Sequence, residues 1–164
     1  KKINLGFFSN LYSDGRKNQK FFIESVKKIS PELIKLSIIG KGWKELVSEL
    51  KTVGYEINYQ RFFFRTRYIS ILKDIDYLIY LGNDEGSMSF LDALQLGIKT
   101  IMIPQGFQKD LEKFITFKID KNLKNFPLIL KKITDEKKKF LDIRRKLTWE
   151  RYTQEHIKIW KTLT

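Results

Sequence analysis

The sequence has no cysteine, so neither a disulfide framework nor a thiolate metal site can form. That absence suits a reducing compartment and gives the expectation of a cytoplasmic protein. Histidine occurs once, at His156, within the C-terminal helical stretch. A histidine triad and a multi-histidine metal site are therefore excluded, and a packing or surface role is expected for that ring. Long apolar runs are also missing; none reaches the roughly 18 residues that a membrane-spanning helix needs. There is no internal repeat, no low-complexity linker and no recognisable nucleic-acid-binding motif.

What is present describes a globular domain. The chain has 164 residues, 42% of them hydrophobic and 14% aromatic, which separates it from disordered sequences. A domain of this length buries roughly 70% of its extended-chain surface, enough for a core. It opens at Lys1 and enters a strand directly, which reads as a piece of a longer protein. Basic residues outnumber acidic ones by 32 to 19, a net charge of +13. Such an excess attracts nucleic acid, anionic lipid or phosphorylated metabolites. The basic residues come in small groups, at 27–28, 131–132, 137–139 and 144–146, all on helical stretches. Solvated helix faces explain them, and for the C-terminal groups contact with an anionic membrane is the alternative.

Strands and helices alternate along the chain. "INLGFF" (3–8), "LIKLSIIG" (33–40), "EINYQ" (56–60), "DYLIYLG" (76–82) and "KTIMI" (99–103) read as strands, the last two as buried ones, with "FITFKI" (114–119) as a sixth. Helical spacing covers 18–29, 44–54, 67–75 and 87–96, with Gly54 and Gly97 as helix stops. The remainder, 122–164, reads as helices wrapping the sheet. The predicted fold class is α/β: a doubly wound Rossmann-like parallel sheet flanked by helices, with a helical C-terminal tail, forming one domain over 1–164.

In such a sheet ligands bind beyond the carboxyl ends of the strands. The loops expected there are "SNLYSDGRKN", "GKGW", "GNDEGSMS" and "PQGFQKD". Arg16 and Lys17 offer positive charge for phosphates. Asp84, Glu85 and Asp92 offer only acceptors, which suit sugar or ribose hydroxyls. The loop before residue 87 leads into a helix whose first N–H groups point outward, so Ser87, Met88 and Ser89 form a candidate phosphate seat. A plain helix cap by Ser87 or Ser89 is the competing explanation. "YQRFFFRTRY" (59–68) interleaves arginines with aromatics, a mixture that can stack on bases, although part of it belongs to the core.

Four segments in order carry a family resemblance: "GRKNQKFFIESVKKI", "LSIIGKGW", "DYLIYLGNDEGSMSFLDALQLGIKTIMIPQG" and "LTWERYTQEHIKIWKTL". Together they resemble the C-terminal, donor-binding domain of GT-B glycosyltransferases of family 4, the glycosyl transferases group 1. The resemblance implies a retaining, hexosyltransferase-type enzyme of bacterial surface glycan synthesis whose N-terminal acceptor domain lies outside this sequence. It implies a nucleotide-diphosphate sugar as donor, of UDP or GDP, with no further cofactor and no metal. Arg16 and Lys17 would hold the diphosphate, with the backbone at Ser87, Met88 and Ser89. Asp92 would hold the ribose, while Gly106 and Phe107 would lie against the sugar and phosphates. The first acid of the family pattern, which faces the donor sugar and counts as catalytic, is Glu85 or Asp84. The family spacing to Asp92 fits Asp84; the neighbouring glycine favours Glu85. The implied location is cytoplasmic, peripheral to the inner face of the membrane, and nucleic acid is not an expected partner. A non-catalytic Rossmann-like module for a phosphorylated ligand or a protein partner is the alternative, with a charge-driven nucleic-acid binder behind it.

Overall fold

Alternation within the apolar runs decides which face each residue takes. A computed structural model, which describes residues 1–146 and 148–163, shows the consequence. β1 (Ile3–Phe8) sends Ile3, Leu5 and Phe7 to one side of a sheet, as β2 (Ile34–Ile39) does with Ile34, Leu36 and Ile38. The other strands are β3 (Glu56–Gln60), β4 (Tyr77–Tyr80), β5 (Lys99–Met102) and β6 (Phe117–Lys118). All neighbours pair in parallel, in the order β3-β2-β1-β4-β5-β6. The chain therefore builds outward from β1 in one direction, returns, and builds outward from β4 in the other.

Helices cover both faces, as crossover connections require. α1 (Gln19–Val26), α2 (Lys44–Thr52) and the start of α5 (Phe126–Lys146) close one core. Its aromatic centre is Phe7 stacked on Phe22 at 4.5 Å, with Trp43 edge-on to Phe7 at 5.2 Å. α3 (Arg65–Asp74) and α4 (Ser89–Gln95) close the other core over Leu78, Tyr80 and Met102. The doubly wound Rossmann-like fold expected from the sequence is the fold observed.

The elements differ from expectation mainly at their ends. α1 starts after Asn18, which takes a left-handed φ of 51°, and stops at Val26, three residues short. The sixth strand shrinks to Phe117–Lys118 because Glu112–Phe114 coils into a 3-10 turn. The C-terminal helices depart further. The first turns of α5 bury Phe126, Leu130 and Ile133, but Phe140 and Ile143 are exposed. α6 (Trp149–Leu163) does not wrap: Trp149 is 81% exposed and Tyr152, Ile159 and Trp160 are exposed too. Its rings stack along the helix, Trp149–Tyr152–His156–Trp160, so His156 has the packing role expected of it. Leu147 and Thr164, expected to be helical, lie outside the described residues.

One buried polar group holds the lower half of the sheet. Asn4 is fully buried in β1 and its side-chain amide donates to Asp74 O (2.9 Å) and Asp74 Oδ2 (3.0 Å). The Ser37 hydroxyl donates to Asn4 Oδ1 (3.0 Å), and the Asn4 backbone N–H donates to Asp76 Oδ2 (2.7 Å). Lys35 beside Asp74 holds its carboxyl below the usual range, against the opposing effect of burial. Asn4→Ala is expected to destabilise the fold by about 1–3 kcal/mol, because it leaves the buried Ser37 hydroxyl without its acceptor and removes the two side-chain bonds to Asp74. Urea denaturation would show the lower midpoint with an unchanged slope.

Candidate functional site

The strand order reverses between β1 and β4, so the loops after these two strands part there and leave a crevice. A cleft of about 410 Å³ lies at that position. Its floor is Phe8, Ile39 and Tyr80 at the strand ends. One wall is Ser9, Asn10 and Gly40. The opposite wall is Gly86, Ser87, Met88 and Ser89. Lys17, Lys41 and Arg61 bring positive charge, and Phe62 and Phe63 stand at the mouth. Three of the four loops expected at the sheet edge thus line the cleft. The fourth stands behind: Phe107 lies over Gly86, where an added Cβ would meet its ring at 3.3 Å.

Backbone contacts fix these loops to one another. The loop after β1 is zipped to the loop after β2 by Ser9 N–H to Ile39 O (2.9 Å) and Leu11 N–H to Lys41 O (2.8 Å). Asn10 Oδ1 accepts from Lys41 N–H (2.8 Å), and Trp43 Nε1–H donates to Ser9 O (2.7 Å). Gly40, at φ 146°, is needed for this approach, since a Cβ there would overlap Ser9 O. The end of the same long loop is tied to the loop after β4: Asn83 N–H donates to Arg16 O (2.8 Å) and Asn18 Nδ2 to Leu81 O (2.6 Å).

Lys17 is the cation set most deeply in the site. Its ammonium pairs with Asp84, donates to Tyr80 OH (3.2 Å) and lies 4.9 Å from the Tyr80 ring centre. The Tyr80 hydroxyl donates to Asp84, and Gly86 N–H donates to the same carboxylate oxygen (3.2 Å). The Lys17 and Asp84 side chains are only 12% and 8% exposed. Lys17 lines the cleft and Asp84 does not, so the carboxylate sits behind the ammonium.

The other expected residues are placed less directly. Arg16 turns outward, pairs with Asp14 (2.8 Å) and stacks on Tyr12 at 4.6 Å. The Arg16 backbone N–H and guanidinium together hold the exposed Asp14 carboxyl below its ordinary range. Glu85 is exposed, and Gly106 packs on its backbone. Asp92 stands beside the cleft rather than in it and accepts from Tyr68 OH (2.6 Å). Burial, and then the Asp92 carboxylate, push the Tyr68 hydroxyl far above its usual pKa, so it remains a donor. The capping role considered for Ser87 or Ser89 is not observed. Met88, with helical dihedrals, precedes the first residue of α4, and no side chain caps that end.

Lys41, Arg61, Tyr68 and Tyr80 line the cleft; the first three lie in the segments "GKGW" and "YQRFFFRTRY" without having been named as site residues, and Tyr80 was not pointed to at all. Tyr80 carried a readable signal: it is the last residue of a strand that ends at the ligand edge. Phe62, Phe63 and Phe64 are 49%, 59% and 56% exposed, so the core claims Tyr68 of the aromatic stretch and leaves the three phenylalanines open.

No protein-family model matches the sequence, and no curated protein matches it. Solved structures do match in fold. The lipopolysaccharide outer core galactosyltransferase WaaB, in its apo form, has a TM-score of 0.53 at 18% identity, over 64% of this chain and 31% of that one. Anabaena Alr3699/HepE in complex with UDP-glucose has a TM-score of 0.56 at 16% identity, over 82% and 40%. WaaG, a glycosyltransferase involved in lipopolysaccharide biosynthesis, has a TM-score of 0.52 at 16% identity, over 69% and 32%. The chain shares its fold with these structures over the matched part. The chain spans between 31% and 40% of the length of these three proteins.

Proposed function

We propose that this chain is the donor-binding half of a retaining glycosyltransferase of the hexosyltransferase type. It would take a sugar from a UDP or GDP sugar and pass it to an acceptor hydroxyl in surface glycan synthesis. The observation that carries this is the cleft at the switch point: Lys17 set in its wall, two more cations at its rim, and aromatic rings at its mouth. Its volume suits a small ligand. HepE, which shares the fold, has been captured with UDP-glucose and with UDP and glucose.

On this reading the diphosphate lies on Lys17, with Lys41 and Arg61 near it and the backbone at Ser87, Met88 and Ser89 opposite. Arg16 joins them by leaving Asp14. Phe62 or Phe63 stacks on the base. Asp92 exchanges Tyr68 for ribose hydroxyls. Of the two candidate acids, Glu85 faces the donor sugar, beside Gly106 and Phe107, since Asp84 is buried behind Lys17. The fixed cations stabilise the charge that grows on the departing diphosphate, which is electrostatic catalysis without metal. The acceptor site belongs to an N-terminal domain outside this sequence. The lysines at 137–139 and Arg144 would meet anionic lipid at the inner face of the membrane, with the protein in the cytoplasm. Alone, the chain binds donor and transfers sugar weakly or not at all.

Calorimetry with UDP, GDP and single-stranded DNA at physiological salt tests this. Saturable UDP or GDP binding is expected. Lys17→Ala should weaken it roughly 10- to 100-fold, the effect of losing a hydrogen bond to a charged group. Asp92→Ala should weaken UDP binding but not pyrophosphate binding. Steeply salt-dependent DNA binding with no nucleotide binding would overturn the proposal.

A further inference from the structure

The pairing of Lys17 with Asp84 has an electrostatic consequence for any anion entering the cleft. Lys17 is the only cation of the cleft wall that is mostly buried; Lys41 and Arg61 are exposed at the rim. An isolated ammonium there would present a full positive charge in a poorly solvated place. Asp84 stands directly behind it, as deeply buried, and is held in place by Tyr80 OH and Gly86 N–H. An incoming phosphate therefore meets an ion pair, and its own charge is repelled by the carboxylate that shares its lysine. Of the three Lys17 donors, Asp84 takes one and Tyr80 a second, so one remains to face the cleft.

We propose that Asp84 is a built-in counter-charge to Lys17 that holds down the affinity of the cleft for diphosphate. The proposal rests on the donor-binding reading above and separates the two neighbouring acids: Asp84 acts through Lys17, and Glu85 is left as the acid at the donor-sugar side. A weakened grip is useful at this position. Sugar transfer leaves a free nucleoside diphosphate, and slow release of such a product limits turnover in many enzymes.

Asp84→Asn tests the proposal, because it removes the charge and keeps an acceptor for Lys17 and Tyr80. Calorimetry with inorganic pyrophosphate and with UDP should show affinity raised on the order of tenfold, the effect of one unit charge close to another near a protein surface. The gain should change little between about 0.1 M and 1 M salt, because buried charges are screened much less than exposed ones. Glu32→Gln, an exposed carboxylate just before β2 and outside the cleft, removes the same unit of charge and should leave pyrophosphate affinity almost unchanged. Asp84→Ser serves as the second charge-removing variant if the asparagine variant does not fold. Unchanged or weaker pyrophosphate binding in the charge-removing variant overturns the proposal. So does an equal gain in Glu32→Gln, since overall charge rather than the carboxylate behind Lys17 would then be the cause. UDP binding to the unaltered protein, with no gain on removing Asp84, overturns the counter-charge and leaves the donor-binding reading standing. A pyrophosphate gain with no UDP or GDP binding to any variant overturns the donor-binding reading and leaves the counter-charge standing.

Discussion

Trp43→Ala is expected to lower stability by about 3–5 kcal/mol, the usual range for deleting a fully buried large aromatic side chain. Native domains are stable by only about 5–15 kcal/mol, so this is a large share of the total. The ring is fully buried, lies edge-on to Phe7, and stands at the start of α2. Its loss would leave a cavity that the β-strands around it cannot fill without leaving their register. It would also leave Ser9 O without its indole partner. Because Ser9 and Asn10 form one wall of the cleft, the damage should reach the site as well as the core. Trp43→Phe separates the two contributions: it keeps most of the packing and removes the N–H, so about 1–2 kcal/mol should be lost. Chemical denaturation of the three proteins side by side is the measurement. Equal stability of the phenylalanine and alanine variants would show that the hydrogen bond, not the packing, is what Trp43 supplies.

The parts of this fold that were legible in the sequence are those set by short-range pattern. β1 and β3 match their expected limits, β1 as an apolar run bounded by turn residues and β3 by the alternation of Ile57 and Tyr59 with polar residues. Helix ends were less legible. α3 begins at Arg65, two residues before the expected start, since Phe64 is the extended residue that breaks the chain direction. The amphipathic pattern of α6 is present, but such a pattern states that one face is apolar and not what covers it. Here that face is exposed along the helix.

For the site, the loops were legible and the pairings were not. A parallel sheet sends every strand end to the same edge, so locating four loops there requires only the strand assignments. Which side chains meet is decided across long separations. Lys17 and Asp84 stand 67 positions apart, and they meet because β1 and β4 are neighbours in the sheet. Arg16 shows the opposite case. Its nearest carboxylate, Asp14, is two residues away and competes for the guanidinium before any distant partner can. Adjacent basic residues with the same expected role thus end in different places, one in the cleft wall and one on the surface.

Gly106→Ala is expected to destabilise the protein by roughly 2–5 kcal/mol, from a left-handed backbone and an overpacked contact acting together. Gly106 has φ 49°, and an added Cβ would be driven into the backbone carbonyl of Glu85, far inside van der Waals contact. Backbone cannot yield as a flexible side-chain end can, so the loop beginning at Pro104 and the loop carrying Asp84 and Glu85 would have to part. Gly97→Ala supplies the control. Gly97 has φ 68° with nothing near its absent Cβ, so it carries only the backbone penalty, about 1–2 kcal/mol. The difference between the two variants in urea denaturation measures the loop-on-loop contact by itself. Separation of these loops should also shift Gly86, whose N–H donates to Asp84, and so disturb the position of Lys17. The Gly106 variant should therefore lose pyrophosphate affinity under native conditions, while the Gly97 variant keeps it. Equal destabilisation of the two variants would remove the contact between these loops from the account of how the cleft is held.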